Sequence, residues 1–510
     1  MNETLSIRWF LRDDTPCLPP PWPLRMERLV WEEPGGAALA ILSAQLDSAA
    51  AADAAAWAAD ALRRPLVVDS PEGEACWNGF VARAEIHLGR AGAVFDLAQL
   101  ANRVAAVYTP PVNEPPFTAR PTRTDWAEDP LSLNRFGRKE RLLQLGPEAR
   151  ALSARAAYLQ RHALPQGEPF LLARRAAPSL RLICRGWFST LDWSYLWIEQ
   201  GREGFLEPAQ TPQTLGRLAT SDALLAQSFQ TDYGPFYLLE AGLNLKRNAT
   251  PADGVVVEVC ADQNGTPGAV LAGSSLPADA LPGGRGWARF RFAEPPLLQA
   301  GLTYWLRFSR SGALNSSHYY VLYYVLYREG NNPYPAGRMM NWNGSAWADG
   351  SGGLNDLNFY ILAGQSRRTR LLELTAPQSG GQFLKGVHLP ADLPGVTAYP
   401  SEGLRPCGAE LLDLLGSPDA AGRPLSVQVN VERELIVQAL PAEDEARWLL
   451  QPDGRLTTPA GRPARLGERL AGEWARLSTG GGVRPLLLRR VVWTPQDGLR
   501  AVPAGNRRAG

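Results

Sequence analysis

Alternating apolar and polar positions run through most of the chain and predict β-strands. The alternation is clearest over residues 74–88, EACWNGFVARAEIHL, where it favours a half-buried antiparallel strand. Two further strands are predicted over residues 26–33 and 37–47, because a Pro-Gly-Gly turn separates two apolar runs. Residues 486–502, LLLRRVVWTPQDGLRAV, predict a hairpin with its turn at Thr494–Gly498. Strands therefore dominate both ends of the chain.

Helical periodicity is confined to three places. An Ala-rich run predicts a helix from Ser48 to Arg64, and CGAELLDLLGS predicts another at residues 407–417. Residues 148–164 show the clearest amphipathic pattern, which Pro165 ends because proline cannot continue a helix. The apolar face of this pattern carries Leu152, Ala156, Leu159 and Leu164. By contrast, residues 125–146 predict a polar loop leading into a strand, and residues 179–200 predict strand, turn and strand.

The longest self-contained β pattern spans Gln227 to Leu362 and predicts an antiparallel sandwich. It contains the aromatic run HYYVLYYVLY at residues 318–327. Successive side chains of a strand point to opposite faces of the sheet. One face of this run therefore carries Tyr319, Val321, Tyr323, Val325 and Tyr327, and the other carries His318, Tyr320, Leu322, Tyr324 and Leu326.

These patterns predict a β-rich α+β multidomain protein. Two flanking units are expected over residues 1–118 and 119–205, with the sandwich inserted over residues 206–366 and a β-rich unit over residues 367–510. The length of 510 residues fits several domains of about 100–150 residues each.

Composition argues against several classes of function. The net charge is +1 and 20% of the residues are charged, so the charge does not indicate binding to nucleic acid or to a membrane surface. The segment MNETLSIRWFLRDD lacks a basic n-region and an apolar h-region, so no signal peptide is expected. No apolar run reaches the roughly 18 residues of a membrane helix, so no membrane span is expected either. Five widely spaced cysteines without a CxxC pair predict buried thiols rather than a zinc site or a disulfide framework.

The sequence contains no evident catalytic constellation. Its four histidines lie in separate predicted units, and GxSxG, HExxH and P-loop motifs are absent. A carboxylate pair can hydrolyse a glycosidic bond, but the sandwich carboxylates are expected to face solvent. These are Glu240, Glu258, Asp262, Asp349 and Asp356. Residues 262–265 and 349–356 are expected to form Asx turns, with a structural calcium as the alternative, since neither fits the EF-hand spacing. Neither a cofactor nor a metal is predicted.

Aromatic residues of the sandwich form the best candidate binding surface. Flat rows of rings stack on sugar rings, and tyrosine adds a hydroxyl group. The candidate glycan platform consists of Tyr320, Tyr324, Tyr334, Trp342 and Trp347. The competing interpretation is that the tyrosine face packs in a two-sided core or against a neighbouring subunit.

Several segments of the sandwich resemble a known module. They are QSF at residues 227–229, VVVEVCADQNGTPGAVLAGSSLPA, WARFRFAEPPLLQAGLTYWLRF and the closing DLNFYI. Together they resemble the jelly roll that recurs in phage tail and virion proteins and in bacterial surface proteins, which is similar to carbohydrate-binding jelly rolls. The resemblance implies an accessory module without catalytic activity.

Three motifs in the flanks carry a second resemblance. They are W-x-G at Trp77 and Gly79, S-x-x-R-F-G-R-x-E over Ser132–Glu140, and G-W-x-x-T-L-D-W over Gly186–Trp193. With GRPLSVQVNVERELIVQALP and W-L-L-x-x-D-G near the C-terminus, they resemble tail hub or baseplate proteins of tailed bacteriophages and related contractile injection systems.

This second resemblance implies hub-like β-barrel domains and a structural virion protein of the tail tip or baseplate, not an enzyme. Subunits are expected to form an oligomeric ring, commonly a trimer, that continues the tail tube at the distal end of the virion after synthesis in the host cytoplasm. Expected partners are the tube, distal tail and fibre proteins, and the jelly roll is expected to project towards host-surface glycan or another tail protein. The alternatives are a glycan-acting hydrolase with an accessory module and a cell-surface adhesin.

Overall fold

The chain is described by a computed structural model that covers most of its length. The described residues are 5–47, 50–109, 122–146, 150–198, 201–205, 211–218, 222–325, 334–349, 355–399, 404–479 and 482–502. Within them the protein is a β-rich multidomain α+β structure, which confirms the predicted fold class. The described strand pairings follow open paths, so the barrels implied by the resemblance are not closed within this part of the chain.

A twelve-stranded sheet, here called the scaffold sheet, joins strands from both ends of the chain. Its strands follow one another in the order Pro16–Cys17, Ser6–Phe10, Pro65–Asp69, Ala75–Asp96, Glu168–Gly186, Gly35–Gln45, Leu425–Val429, Glu434–Ala439 and Gly386–His388. Arg25–Glu32 pairs with Gly35–Gln45 and also with the closing hairpin, Arg490–Thr494 and Gly498–Ala501. The predicted units 1–118 and 367–510 therefore share one sheet, and the sandwich is carried between them.

Two small sheets accompany the scaffold sheet. In the first, Arg103–Tyr108 pairs with Glu140–Gln144, Thr122–Arg123 and Ala127–Glu128. The second contains Trp448–Leu450, Leu456–Thr457, Trp474–Thr479 and Gly482–Leu487.

The predicted sandwich is present as two facing sheets. Sheet I contains Arg202–Phe205, Thr211–Leu215, Phe236–Asn248, Gly286–Arg291, Leu297–Leu298, Tyr319–Val325, Asp356–Leu357, Phe359–Ser366 and Val396–Ala398. Sheet II contains Leu224–Phe229, Val255–Gln263, Thr266–Leu276, Tyr304–Arg310, Met339–Trp342 and Trp347–Ala348. Apolar side chains of both sheets, including the fully buried Phe229, Phe290 and Phe359, form one core between them. The first strand of sheet I, Arg202–Phe205, lies just before the predicted limits of 206–366, and Val396–Ala398, which pairs with Phe359–Ser366, lies well after them.

Five α-helices lie in the described ranges: Ala50–Ala61, Pro130–Phe136, Ala151–His162, Arg367–Leu374 and Cys407–Leu415. Short 3-10 helices span Leu97–Gln99, Trp187–Trp193, Ala278–Ala280 and Glu443–Glu445. None of the helices in this part of the chain is long and apolar enough to cross a membrane.

Three elements differ from the predictions, and one of them is the helix Arg367–Leu374, which lies outside the three predicted helices. Residues 130–136 form a helix where a polar loop was predicted, because Asp129 caps its first turn by accepting from the Ser132 N–H and Pro130 occupies the first turn. Trp187–Trp193 is a 3-10 helix where a turn and a strand were predicted. The helix Ala151–His162 is present as predicted, but its apolar face is largely uncovered and Leu152 is 64% exposed.

Candidate functional site

One largely buried aromatic cluster, formed by Phe80, Trp187, Trp193 and Phe383, contains two residues of the G-W-x-x-T-L-D-W motif. Asn78 of the W-x-G segment and Lys139 of the Ser132–Glu140 motif contact it. Trp187 lies 5.0 Å from Phe80 and 5.4 Å from Phe383, measured between ring centroids. Trp193 closes the cluster at 5.6 Å from Phe80 and 5.7 Å from Phe383. The Arg433 guanidinium lies 4.1 Å over the Trp187 ring and brings the C-terminal unit to the same point. The cluster therefore joins segments that are far apart in the sequence.

Small and polar residues hold the strands tightly around this cluster. A Cβ at Gly186 would lie 1.6 Å from the Ala37 carbonyl oxygen, and one at Gly79 would lie 2.2 Å from the Arg185 carbonyl oxygen. Asn78 accepts a 2.8 Å hydrogen bond from the Trp187 indole N–H and donates to the Val431 carbonyl. Both glycines are therefore required by close backbone approach.

The motif Ser132–Glu140 is a buried junction rather than an open site. Glu140 accepts from Arg103 at 2.7 Å and from the Tyr195 N–H at 2.7 Å, and its side chain is 2% exposed. Burial raises the pKa of this carboxyl, while these hydrogen bonds and the neighbouring arginines act to lower it. Arg138 donates to the Pro377 carbonyl at 3.0 Å, which ties the motif to the chain that follows the sandwich. The motif thus acts through packing and hydrogen bonding.

A two-stranded ribbon, residues 89–94 paired with 168–176, extends beyond the rest of the scaffold sheet. Pro65–Asp69 pairs with the first of these strands only as far as Phe80. Gly35–Gln45 pairs with the second strand only from Ser179 onward. No strand in the described part of the chain pairs with the outer edges of the ribbon. Leu171 is 85% exposed, and the exposed arginines of the ribbon are Arg90, Arg174 and Arg175. The ribbon therefore presents unpaired backbone groups beside an uncovered apolar side chain.

The structure contradicts two members of the predicted glycan platform. Tyr320 is fully buried and donates its hydroxyl to the Asp253 carbonyl, and Tyr334 is 7% exposed and packs edge-on against Phe359 at 5.3 Å. Neither ring is free to stack on a sugar. Tyr323, on the opposite face of the strand from Tyr320, is 9% exposed, so both faces of this strand are packed.

The other three members do not form one surface. Trp342 and Trp347 are cross-strand neighbours on sheet II, 5.7 Å apart, and are partly exposed. Tyr324 is partly exposed on sheet I. That Tyr324, Trp342 and Trp347 contact a sugar stays a prediction. Leu326 and Tyr327 of the aromatic run lie outside the described residues.

The expectation that the sandwich carboxylates face solvent is wrong for two of them. Glu240 is 6% exposed and Asp356 is fully buried. Glu240 accepts from the Tyr360 hydroxyl on the outer side of sheet I, whereas Asp356 accepts from the buried Gln227 amide between the sheets. These two carboxylates lie on opposite sides of sheet I, so they do not form an acid–base pair. No group of three or more His, Cys, Asp or Glu side chains in the described ranges has metal-binding geometry.

The burial of Asp356 predicts a pH-dependent stability of the sandwich. Burial raises the pKa of Asp356 to about 7, although hydrogen bonds from Gln227 and the Tyr334 N–H act to lower it. The folded state therefore binds this proton more tightly than the unfolded chain, in which the carboxyl has its ordinary pKa of 3.8. Consequently the free energy of unfolding should rise as pH falls from about 7 towards 4. Asp356→Asn should remove this rise in urea unfolding measured across that range, whereas Asn at the exposed Asp279 should retain it. An unchanged pH dependence in Asp356→Asn would contradict the assignment.

Comparison with known proteins adds little to this geometry. No protein-family model matches the chain, and no curated protein matches it. One match among solved structures is a glycoside hydrolase family 43 arabinoxylan arabinofuranohydrolase from Bacillus subtilis in complex with cellotetraose, at 11% identity and a TM-score of 0.14. The match covers 56% of this chain and 63% of that chain. A likeness at this TM-score carries no argument about fold or function.

Proposed function

We propose that this protein is a structural subunit of a phage tail tip or a related injection-system baseplate. In this role it assembles with copies of itself into a ring, most simply a trimer, at the distal end of the tail. The scaffold sheet forms the body of the ring, and the sandwich faces outward, where it meets host glycan or other tail proteins.

The observation that carries this proposal is the ribbon. Unpaired strand edges are templates for pairing with another chain, and natural proteins normally shorten, charge or cover them. Arg90, Arg174 and Arg175 charge this ribbon, but both edges of residues 89–94 and 168–176 are open within the described part of the chain, and Leu171 is 85% exposed. In a closed ring of identical subunits, each ribbon pairs or packs against its neighbour, and no edge is left open.

A second uncovered apolar surface supports the same role. The helices Pro130–Phe136 and Ala151–His162 border a groove of about 510 Å³ whose apolar lining includes Leu131, Leu159 and Leu164. Leu131 is 81% exposed and Leu164 is 51% exposed. Apolar surface of this kind is typical of a site that another protein covers. The motif side chains Trp77, Trp187 and Glu140 are, in contrast, buried, which suits a scaffold that positions such surfaces.

Leu171→Asp is expected to weaken self-association of the purified chain. A charge at the centre of a packed ribbon interface has to be desolvated, so we expect the subunit dissociation constant to rise by about tenfold or more. Sedimentation velocity over a concentration series measures this directly. The matched control is Leu18→Asp, since Leu18 lies off the ribbon and is 88% exposed.

Two outcomes contradict the proposed function. One is a wild-type chain that stays monomeric alone and with partner tail proteins. The other is a monomer that releases reducing sugar from envelope polysaccharide, which supports the glycan-acting hydrolase instead.

A further inference from the structure

A patch of aromatic and polar side chains lies on the face of sheet I that points away from the sandwich core. Strand register places Tyr360 beside Gly242 and Gly242 beside Arg289, while Asn244 lies opposite Trp287. The alternate residues of the same strands belong to the core. The side chains that share the outer face, here called the outer-face patch, are Arg202, Glu240, Asn244, Trp287, Arg289, Arg291 and Tyr360.

The aromatic pair of the patch is held in a fixed position. Its ring centroids, those of Trp287 and Tyr360, lie 5.2 Å apart at an angle of 53°. Tyr360 lies over Gly242, where a Cβ would approach its ring to 2.0 Å. The Tyr360 hydroxyl donates to Glu240 at 2.6 Å, and Arg291 donates to the second oxygen of the same carboxylate at 3.1 Å. The pair is therefore ordered before any ligand arrives, which lowers the entropy cost of binding.

One buried polar atom of the patch lacks a partner. Asn244 is 8% exposed, and its Oδ1 accepts no hydrogen bond within the described residues. A buried carbonyl oxygen without a donor is destabilising. This atom has less than 1 Å² of accessible surface, so a ligand on the patch contacts the rings and the guanidinium groups instead.

The charge of the patch is predominantly positive. Glu240 is already engaged by Arg291 and Tyr360. Arg289 and Arg202 are both exposed, and neither has a carboxylate partner in the described ranges. Both lie close enough to Tyr360 to act electrostatically on its hydroxyl. Two unpaired guanidinium groups beside an aromatic platform favour an anionic ligand that also has an apolar ring face.

We propose that the outer-face patch binds an acidic glycan. A sugar ring packs on Trp287 and Tyr360. The carboxylate or phosphate group of the glycan pairs with Arg289 and Arg202. This inference rests on the proposed role of the sandwich as the outward-facing module, and it moves the site from the predicted tyrosine face to the opposite side of sheet I.

Binding of defined polymers to the full-length chain tests the proposal. The probes are polygalacturonate, which carries carboxylates, a polyribitol phosphate teichoic acid, which carries phosphates, and dextran, which is neutral. We expect the chain to bind at least one acidic polymer and not dextran, and the acidic polymer that binds identifies the anionic group. Trp287→Ala and Arg289→Ala are each expected to weaken this binding by about tenfold or more.

Matched controls keep the result interpretable. Trp347→Ala removes a partly exposed tryptophan of sheet II, and Arg28→Ala removes an exposed arginine of the scaffold sheet. Neither control is expected to change binding. Equal binding of dextran, no binding of either acidic polymer, or unchanged affinity in both patch variants would overturn the inference.

Sedimentation of the same samples separates this inference from the proposed function. Trp287→Ala should keep the oligomeric state of the wild type while losing glycan affinity. Acidic glycan binding by a strictly monomeric chain would support the patch and contradict the ring. An oligomer that binds none of the polymers would support the ring and contradict the patch.

Discussion

Trp187→Ala is expected to destabilise the scaffold sheet by about 3–5 kcal/mol. Trp187 is 1% exposed and packs against Phe80 and Phe383, so its removal leaves a large cavity between segments distant in sequence. It also removes the indole N–H that donates a hydrogen bond to Asn78, and Asn78 is itself only 5% exposed. An unsatisfied buried amide adds to the loss of packing.

Hydrogen exchange followed by peptide mass analysis measures this effect module by module. Exchange should accelerate in residues 75–86 and 179–186 of the scaffold sheet, and it should stay unchanged in residues 255–263 of the sandwich. Trp347→Ala is the control, because Trp347 is partly exposed and lies on the two-residue strand Trp347–Ala348. Unchanged exchange in the scaffold of Trp187→Ala would show that the aromatic cluster does not hold these segments together.

Gly186→Ala is the second substitution with a large expected effect. The added Cβ would lie 1.6 Å from the Ala37 carbonyl oxygen and 2.6 Å from its carbonyl carbon. Because these are backbone atoms of a central strand, the strands Gly35–Gln45 and Glu168–Gly186 must separate to relieve the overlap. The φ of Gly186 is −72°, a conformation open to any residue, so the whole effect is steric. We expect a loss of about 3 kcal/mol, at the upper end of the range for overpacked sites.

Equilibrium unfolding in urea measures this loss, with Gly146→Ala as the control. A Cβ at Gly146 would meet nothing within 4 Å, so its unfolding free energy should change by no more than about 0.5 kcal/mol. Equal stabilities of the two variants would contradict the close backbone approach at Gly186.

Local patterns predicted much of the fold. The closing hairpin, Arg490–Thr494 and Gly498–Ala501, and the strands of the sandwich were found because alternation and turn residues are encoded within a few positions. The helix Pro130–Phe136 was missed although Asp129 and Pro130 are helix-start residues. Its polar composition resembled a loop, and the burial of Phe136 in the core, which also stabilises the helix, is a tertiary contact.

The candidate site was less accessible to sequence reasoning. Alternation divides a strand into two faces but does not say which face meets the core, and for Tyr320 and Tyr323 both faces are packed. The outer-face patch depends on the register of three strands that are distant in the sequence. One local signal was present: a glycine inside a strand often marks the close approach of another group, and Gly242 is covered by Tyr360.

The attachment of the sandwich has a mechanical consequence. Its first strand, Arg202–Phe205, lies beside Phe359–Ser366, and Phe359–Ser366 runs directly into the helix Arg367–Leu374. Arg370 of that helix is buried and paired with Glu410 at 2.6 Å. A pull on the sandwich along these strands therefore loads in shear the hydrogen bonds between Phe359–Ser366 and its other neighbour, Phe236–Asn248, so that many must break at once instead of opening one by one. A tether of this geometry transmits force to the scaffold with little stretch, as a rigid arm would.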